Sequence, residues 1–154
     1  MRRAFTLIEA IAAVVVLSLA APPTYLLLRD AADARQMTVA ADRAMWLSAG
    51  VMEHIIADVE SNAPGLGPGA LDDPDTYLNH PASGLRARIE NMTAIYEAQS
   101  ITCDITIGDL VSASATTTGD AALDVFRIVT VTVTWPGRNG ASARYTLSRV
   151  VTVR

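Results

Sequence analysis

Few residues in this 154-residue chain have types and spacings suited to chemistry. Glu9 comes first, as the single charge between Ala4 and Leu28 in an otherwise apolar run. A carboxylate in a spanning helix costs about 2.5–3.5 kcal/mol near the bilayer centre and less near the interface, so a partner or a task is expected for it. His54 follows Glu53 and precedes Asp58 by four residues, close enough on a helix for a metal pair to be imagined. One histidine and one carboxylate leave a zinc site incomplete, and a solvated helix face is the expectation. Asp72, Asp73, Asp75 and Asn79 offer oxygen donors in a proline-rich stretch and are weak candidates for calcium. Their spacing is not that of an EF-hand, which needs its own glycine and terminal glutamate. Cys103 is the single cysteine, which excludes an intramolecular disulfide; in an apolar strand it reads as a small core residue. His80, beside Pro81, has no visible partner. No nucleophile elbow, phosphate loop or paired-acid context stands out, so neither an enzyme nor a cofactor is expected.

The elements that hold these residues differ sharply along the chain. Hydrophobic residues make up 51% and the mean hydropathy is +0.29, with the excess concentrated at the start. Phe5 to Leu28 as a helix rises about 36 Å, enough for a bilayer core of about 30 Å. Arg2 and Arg3 on one side and Arg29-Asp30 on the other mark its limits, and the positive-inside rule leaves Arg2 and Arg3 cytoplasmic. Pro22 and Pro23 remove two backbone donors, so a kink or local melting is expected there. Beyond Arg29, Met37, Ala41, Ala44, Met45, Ser48, Val51, Met52, Ile55, Ile56 and Val59 recur at helical steps. Asp33, Arg35, Asp42, Arg43, Glu53 and Asp58 mostly fill the other side. One helix from about Phe5 to Ser61 is predicted, lipid-exposed first and amphipathic from 29 to 61.

Residues 62–99 read as a Pro/Gly-rich loop and variable region. Four prolines and four glycines lie between Ser61 and Gly84, and Leu85 to Ala98 is ambiguous between a short helix and an edge strand. Residues 100–154 read as an antiparallel sheet. Ile101, Cys103, Ile105 and Ile107 share a strand face, and Ser112 to Asp120 is small, polar and expected to be mobile. Val129, Val131, Val133 and Trp135 alternate with threonines, Pro136 to Gly140 supplies a turn, and Ala143, Tyr145, Leu147, Val151 and Val153 return. The fold class is α+β: a long N-terminal helix, one half transmembrane and one half amphipathic, on a small antiparallel sheet.

Arg3-Ala4-Phe5-Thr6-Leu7-Ile8-Glu9 resembles the class III leader of type IV pilins and type II secretion pseudopilins. The resemblance implies a leader of residues 1–4, cleavage by a prepilin peptidase between Ala4 and Phe5, N-methylation of Phe5, and Glu9 as the fifth mature residue. Family leaders usually end in glycine, and Ala4 departs from that. The family's frequent proline at mature position 22 would fall on Leu26, with Pro22 and Pro23 one turn earlier. Methylation keeps an amine positive. Glu9 can therefore neutralise the Phe5 amine of a staggered neighbour and set the register of helices packed in lipid. Asp42 to Leu47, with Trp46, and the Val-Thr-Val-Thr-Trp strand look like minor pseudopilin I and minor pilin V. In bacteria, the glycosylation pattern Asn91-Met92-Thr93 is best taken as chance.

The resemblance implies a non-catalytic, pilin-like minor subunit in the bacterial inner membrane, its C-terminal domain periplasmic. Its expected partners are other pilin or pseudopilin subunits, the prepilin peptidase and an inner-membrane platform protein. Nucleic acid is not an expected partner. The charge is −4, all twelve basic residues are arginine, and none cluster beyond Arg2-Arg3. Competing readings are a Sec-exported periplasmic binding or enzymatic domain cleaved after Ala20, and a membrane anchor that never polymerises. Both leave Glu9 without a reason.

Overall fold

The computed structural model describes residues 6–153, and the elements follow the α+β expectation. Helix α1 (Leu7–Glu60) is followed by a 3-10 turn (Pro68–Leu71), α2 (Pro74–Asn79) and α3 (Leu85–Glu97). Strands β1 (Thr102–Val111), β2 (Phe126–Pro136) and β3 (Ser142–Thr152) form one antiparallel sheet in the order β1-β2-β3. The chain divides into two units, one ending at Val39 and one beginning at Ala40, with α1 passing through both.

In the first unit every described residue from Thr6 to Ala32 is exposed, and α1 is long and apolar enough there to cross a membrane. Helix α1 runs without interruption through Pro22 and Pro23 although neither can donate a backbone bond, so the expected local melting does not occur. Hydroxyls nearby bond back to the helix: Ser18 Oγ donates to the Val15 carbonyl at 2.9 Å and Thr24 Oγ1 to the Ala20 carbonyl at 2.8 Å. Neither bond falls on the carbonyls of Ser18 and Leu19, the two that the prolines deprive of a helical donor.

In the second unit the helix becomes one-sided. Ala44, Leu47, Ser48, Val51, Met52, Ile55 and Val59 are buried in a core shared with Val129, Val131 and Val133 of β2. The predicted stripe is corrected at three places. Leu47, left out of it, is 1% exposed; Met45, placed in it, is 48% exposed; and Asp58, assigned to solvent, is buried. Trp46 projects outward at 76% exposure.

The Pro/Gly-rich region is more ordered than a loop. Leu71, Tyr77 and Leu78 from it enter the core. Asp73 caps α2 by accepting from the Thr76 amide at 3.2 Å, and Pro74 supplies a preset first helical residue. Gly84 starts α3 where a Cβ would stand 2.6 Å from the backbone of His80, so only glycine fits. The ambiguous segment is thereby helical, with Leu85 and Ile89 buried.

The sheet follows the alternation. Residues Val129, Val131 and Val133 are fully buried, while the other face carries hydroxyl pairs, Thr130 with Ser148 at 3.0 Å and Thr102 with Thr134 at 2.6 Å. Strands β2 and β3 pair continuously from Pro136↔Ser142 to Phe126↔Thr152, with Arg138–Gly140 in the turn. Strand β1 pairs with the other side of β2 and slips register between Ile107 and Leu110. Ser112 to Asp120, expected to be mobile, is tied internally: Ser112 Oγ donates to the Thr116 carbonyl at 2.8 Å.

The phase of α1 makes a direct test. Leu47→Ala should cost about 2–5 kcal/mol in denaturant unfolding, as a fully buried leucine does. Its neighbour Trp46→Ala should stay within about 0.5 kcal/mol.

Candidate functional site

Two arrangements of polar groups stand out: the start of α1 and a half-buried ion pair near its end. At the start, Thr6 and Glu9 form a reciprocal cap. Glu9 Oε2 accepts from the Thr6 amide at 2.9 Å and from Thr6 Oγ1 at 2.8 Å, and the Glu9 amide points to Thr6 Oγ1 at 3.4 Å. This is a capping box, which satisfies amides that a helix start leaves without intrahelical partners. The carboxylate also lies near the positive end of the helix dipole. The Thr-x-x-Glu spacing ahead of an apolar run was the available signal, and the reading of Glu9 as a group seeking an outside partner passed over it. Glu9 sits in the first turn of α1, whose residues from Thr6 to Ala32 are exposed on all sides, with the next acid not met until Asp30. Ala4 and Phe5, the expected cleavage and methylation positions, lie outside the described residues.

Near the other end of α1, Asp58 receives a two-pronged contact from Arg88 of α3. Arg88 Nη1 donates to Oδ1 at 2.7 Å and Nη2 to Oδ2 at 2.5 Å, while the Tyr77 hydroxyl of α2 donates to Oδ2 at 2.6 Å. Arg88 also lies over the Tyr77 ring, 6.0 Å from its centroid. Burial pushes the Asp58 pKa up, but the bonds from Arg88 and then Tyr77 outweigh it and hold the carboxyl below the ordinary range. Burial and the adjacent carboxylate together push the Tyr77 phenol well above its ordinary value. A donor-saturated carboxylate and a phenol held protonated are poor acid–base catalysts near neutrality. The cluster ties helices together. Its signal in the sequence was positional: Asp58 falls three residues after Ile55 and beside Val59, on the apolar stripe.

The other candidates separate. Asp73 is the α2 cap, its carboxyl held below the ordinary range by the Thr76 hydroxyl and amide. Asp75 accepts from Asn79 Nδ2 at 2.7 Å, and the Asp72 carbonyl accepts from Arg127 Nη2 at 3.1 Å. Among the described residues no three His, Cys, Asp or Glu side chains are grouped to hold a metal ion. His54 is exposed while Asp58 turns inward, so the two do not form a metal pair. The Nδ1 of His80 faces the Ser83 amide at 3.2 Å, a turn-stabilising contact. Burial pushes the Cys103 thiol up to about 11, away from reactivity.

Two buried polar groups went unnoticed in the sequence. Arg127 donates from Nη1 to the Gly108 carbonyl at 2.7 Å, joining the register slip of β1 to the Asp72 backbone. Asp124 accepts from the amides of Thr118 and Gly119 at 3.0 and 2.9 Å and from Thr118 Oγ1 at 2.9 Å. Burial opposes its ionisation, but these bonds hold it below the ordinary range. No family model matches this chain, and no curated protein or solved structure shows significant similarity to it.

The lowered pKa of Asp58 fixes the sign of an acid effect. Its contribution is fully present above the ordinary aspartate value of about 3.9 and is lost as pH falls through the lower folded value. Urea midpoints should therefore drop below about pH 4, and Asp58→Asn should remove part of that slope, Asp73 and Asp124 supplying the rest. At pH 7, Arg88→Ala should cost about 2–3 kcal/mol. That is below the roughly 3–5 kcal/mol of a fully buried broken pair, because about a third of the Arg88 side chain meets water.

Proposed function

We propose that this chain is a minor pilin or pseudopilin, a non-catalytic subunit that assembles through its N-terminal helix into, or at the start of, a type II secretion pseudopilus or type IV pilus. The observation that carries the reading is Glu9: a lone carboxylate in the first turn of an apolar helix whose every side is exposed, five residues into the segment beginning at Phe5. An apolar surface of this kind needs lipid or other helices around it. Helices in lipid gain little from apolar contact alone, so a charge of fixed position is an effective register device.

The cap geometry is compatible with that role. Both Thr6 bonds fall on Oε2, and among the described residues no donor reaches Oε1. A carboxylate accepts several hydrogen bonds, so Thr6 orients Glu9 while leaving acceptor capacity for the Phe5 amine of a neighbouring subunit. The division of α1 at Val39 also suits the reading, with an exposed apolar half and a half that carries an α+β unit. In this reading a prepilin peptidase cuts between Ala4 and Phe5, Phe5 is methylated, and the second unit faces the periplasm from the inner membrane. Other pilin or pseudopilin subunits and an inner-membrane platform protein are its partners.

Mass spectrometry of the N-terminal peptide from native membranes tests this directly. A chain starting at N-methylated Phe5 is expected. A chain starting at Ala21 would identify a cleaved secretory signal and sink the proposal. Glu9→Val is expected to abolish co-purification with other subunits and filament assembly while leaving the chain in the membrane fraction; unchanged assembly would remove Glu9 from the mechanism.

A further inference from the structure

The two edges of the sheet differ. Strand β1 has α3 alongside it, and Arg86 of that helix reaches the Ile105 carbonyl at 3.4 Å and the Asp104 carboxylate at 3.3 Å. Among the described residues no strand pairs with the far edge of β3. The ladder fixes which groups that edge presents. The Gly137 amide donates to the Ala141 carbonyl at 2.6 Å and the Val153 amide to the Val125 carbonyl at 3.0 Å, at the two ends of the β2–β3 pairing. Hydrogen-bonded and non-hydrogen-bonded pairs alternate in an antiparallel ladder. The odd-numbered residues of β3 therefore bond to β2, and Ser142, Arg144, Thr146, Ser148, Val150 and Thr152 turn their amides and carbonyls outward.

Beside the second half of this edge lies an open groove of about 510 Å³ between the end of α1 and β3. Ile56, Val59 and Glu60 line its helix wall, Arg149 and Val151 its strand wall. A strand added to β3 would place the residues opposite Arg149 and Val151 on the groove side of the sheet. The exposed charge on the strand wall is of one sign, while Glu60 stands on the helix wall. From Phe126 to Val153 the chain has four arginines (127, 138, 144 and 149) and no aspartate or glutamate, although the whole chain carries −4. Arg127 is turned inward, whereas Arg144 and Arg149 are exposed on the open edge.

We propose that the β3 edge is a docking site for an extended acidic segment of another protein, which adds as a fourth strand and places an apolar side chain in the groove. Main-chain bonds to the outward amides and carbonyls supply affinity, and the groove and arginines supply selection. A second copy of β3 is a poorer occupant, because edge-to-edge pairing sets arginine-bearing strands side by side and like charges across strands repel. The inference is independent of the filament reading, since it rests only on the second unit.

The test uses the full chain in detergent micelles and a capped eight-residue peptide of glutamates with one valine, placed to face Val151, so that glutamates lie on both faces. Amide exchange at Arg144, Thr146, Ser148 and Val150 is expected to slow at least tenfold with peptide, with Tyr145 and Leu147 unchanged. Thr146→Pro removes one outward amide without touching the β2 ladder, an edge position where proline is tolerated. It should weaken binding at least tenfold with the circular dichroism unchanged. If that variant fails to fold, the double variant Arg144→Glu and Arg149→Glu should lose this peptide and accept one with lysine in place of glutamate. Equal binding of the lysine peptide to the unaltered chain would overturn the proposal. So would unaltered exchange at the four edge amides, or edge protection that rises with the protein's own concentration in the absence of peptide.

Discussion

Asp58 occupies a position on the α1 stripe where an apolar side chain would have sufficed, and burying a carboxylate there obliges the chain to bring donors to it. A buried charge left single is strongly destabilising, so the arrangement forms only when α2 and α3 arrive together with Tyr77 and Arg88. The same residue's carbonyl accepts from the amides of Ser61 and Gly67, the latter at 2.8 Å, which turns the chain back at the end of the helix. Gly67 can make that turn because its φ is +99°, open to glycine and costly for other residues. One position thus sets where α1 stops, how the Pro/Gly-rich stretch folds back, and where α3 lies beside β1.

The parts legible in the sequence were those governed by long, regular periodicity. Helix α1 and the β2–β3 hairpin are each built from a repeated pattern over ten residues or more, and both stand where the pattern placed them. The three-to-four-residue step was less decisive about phase. Ser48, Val51 and Ile55 fit it, yet Met45 and Leu47 are two residues apart on a helix with hydrophobic side chains on both, and only packing against Val129, Val131 and Val133 selects Leu47. Short elements were illegible for a different reason. Helix α2 has six residues, too few to show a period, and its start is set by an Asp73-Pro74 cap inside a stretch whose composition reads as loop. Leu85 to Ala98 is apolar enough for either element but holds to neither period, and its helix begins at Gly84, which closes against His80.

The site was legible in part and for comparable reasons. Glu9 was conspicuous as the lone charge in an apolar run, while its local partner Thr6 was hidden by the ordinariness of a threonine. The two readings of Glu9 are compatible because the cap draws on Oε2 and, among the described residues, no donor reaches Oε1. Asp58–Arg88 spans thirty residues, and no local rule connects an acid on one helix with a base on another. Asp72, Asp73 and Asp75 illustrate the reverse case, where adjacency in sequence suggested convergence. A capping residue and its successor on the helix point in different directions, so the three oxygens serve an amide, a side chain and an arginine separately.

A three-stranded sheet with one covering layer has two faces and two edges to satisfy, and this chain treats all four differently. The inner face is closed by the apolar stripe of α1. The outer face is made tolerant of water by hydroxyl pairs across the strands. One edge is covered by α3 and bonded through Arg86. Among the described residues no strand pairs with the remaining edge and no bulge interrupts its ladder, and its strand is as long as β2, eleven residues. Natural sheets blunt an exposed edge by charge when they do not cover it. Charge of one sign, however, repels only its own kind. Placing arginines on β3 while its whole hairpin lacks carboxylates suppresses pairing between copies and leaves the backbone groups open to a strand of opposite charge. Protection against self-association and selection of a partner are here the same physical feature, and the second follows from the first without any further residue.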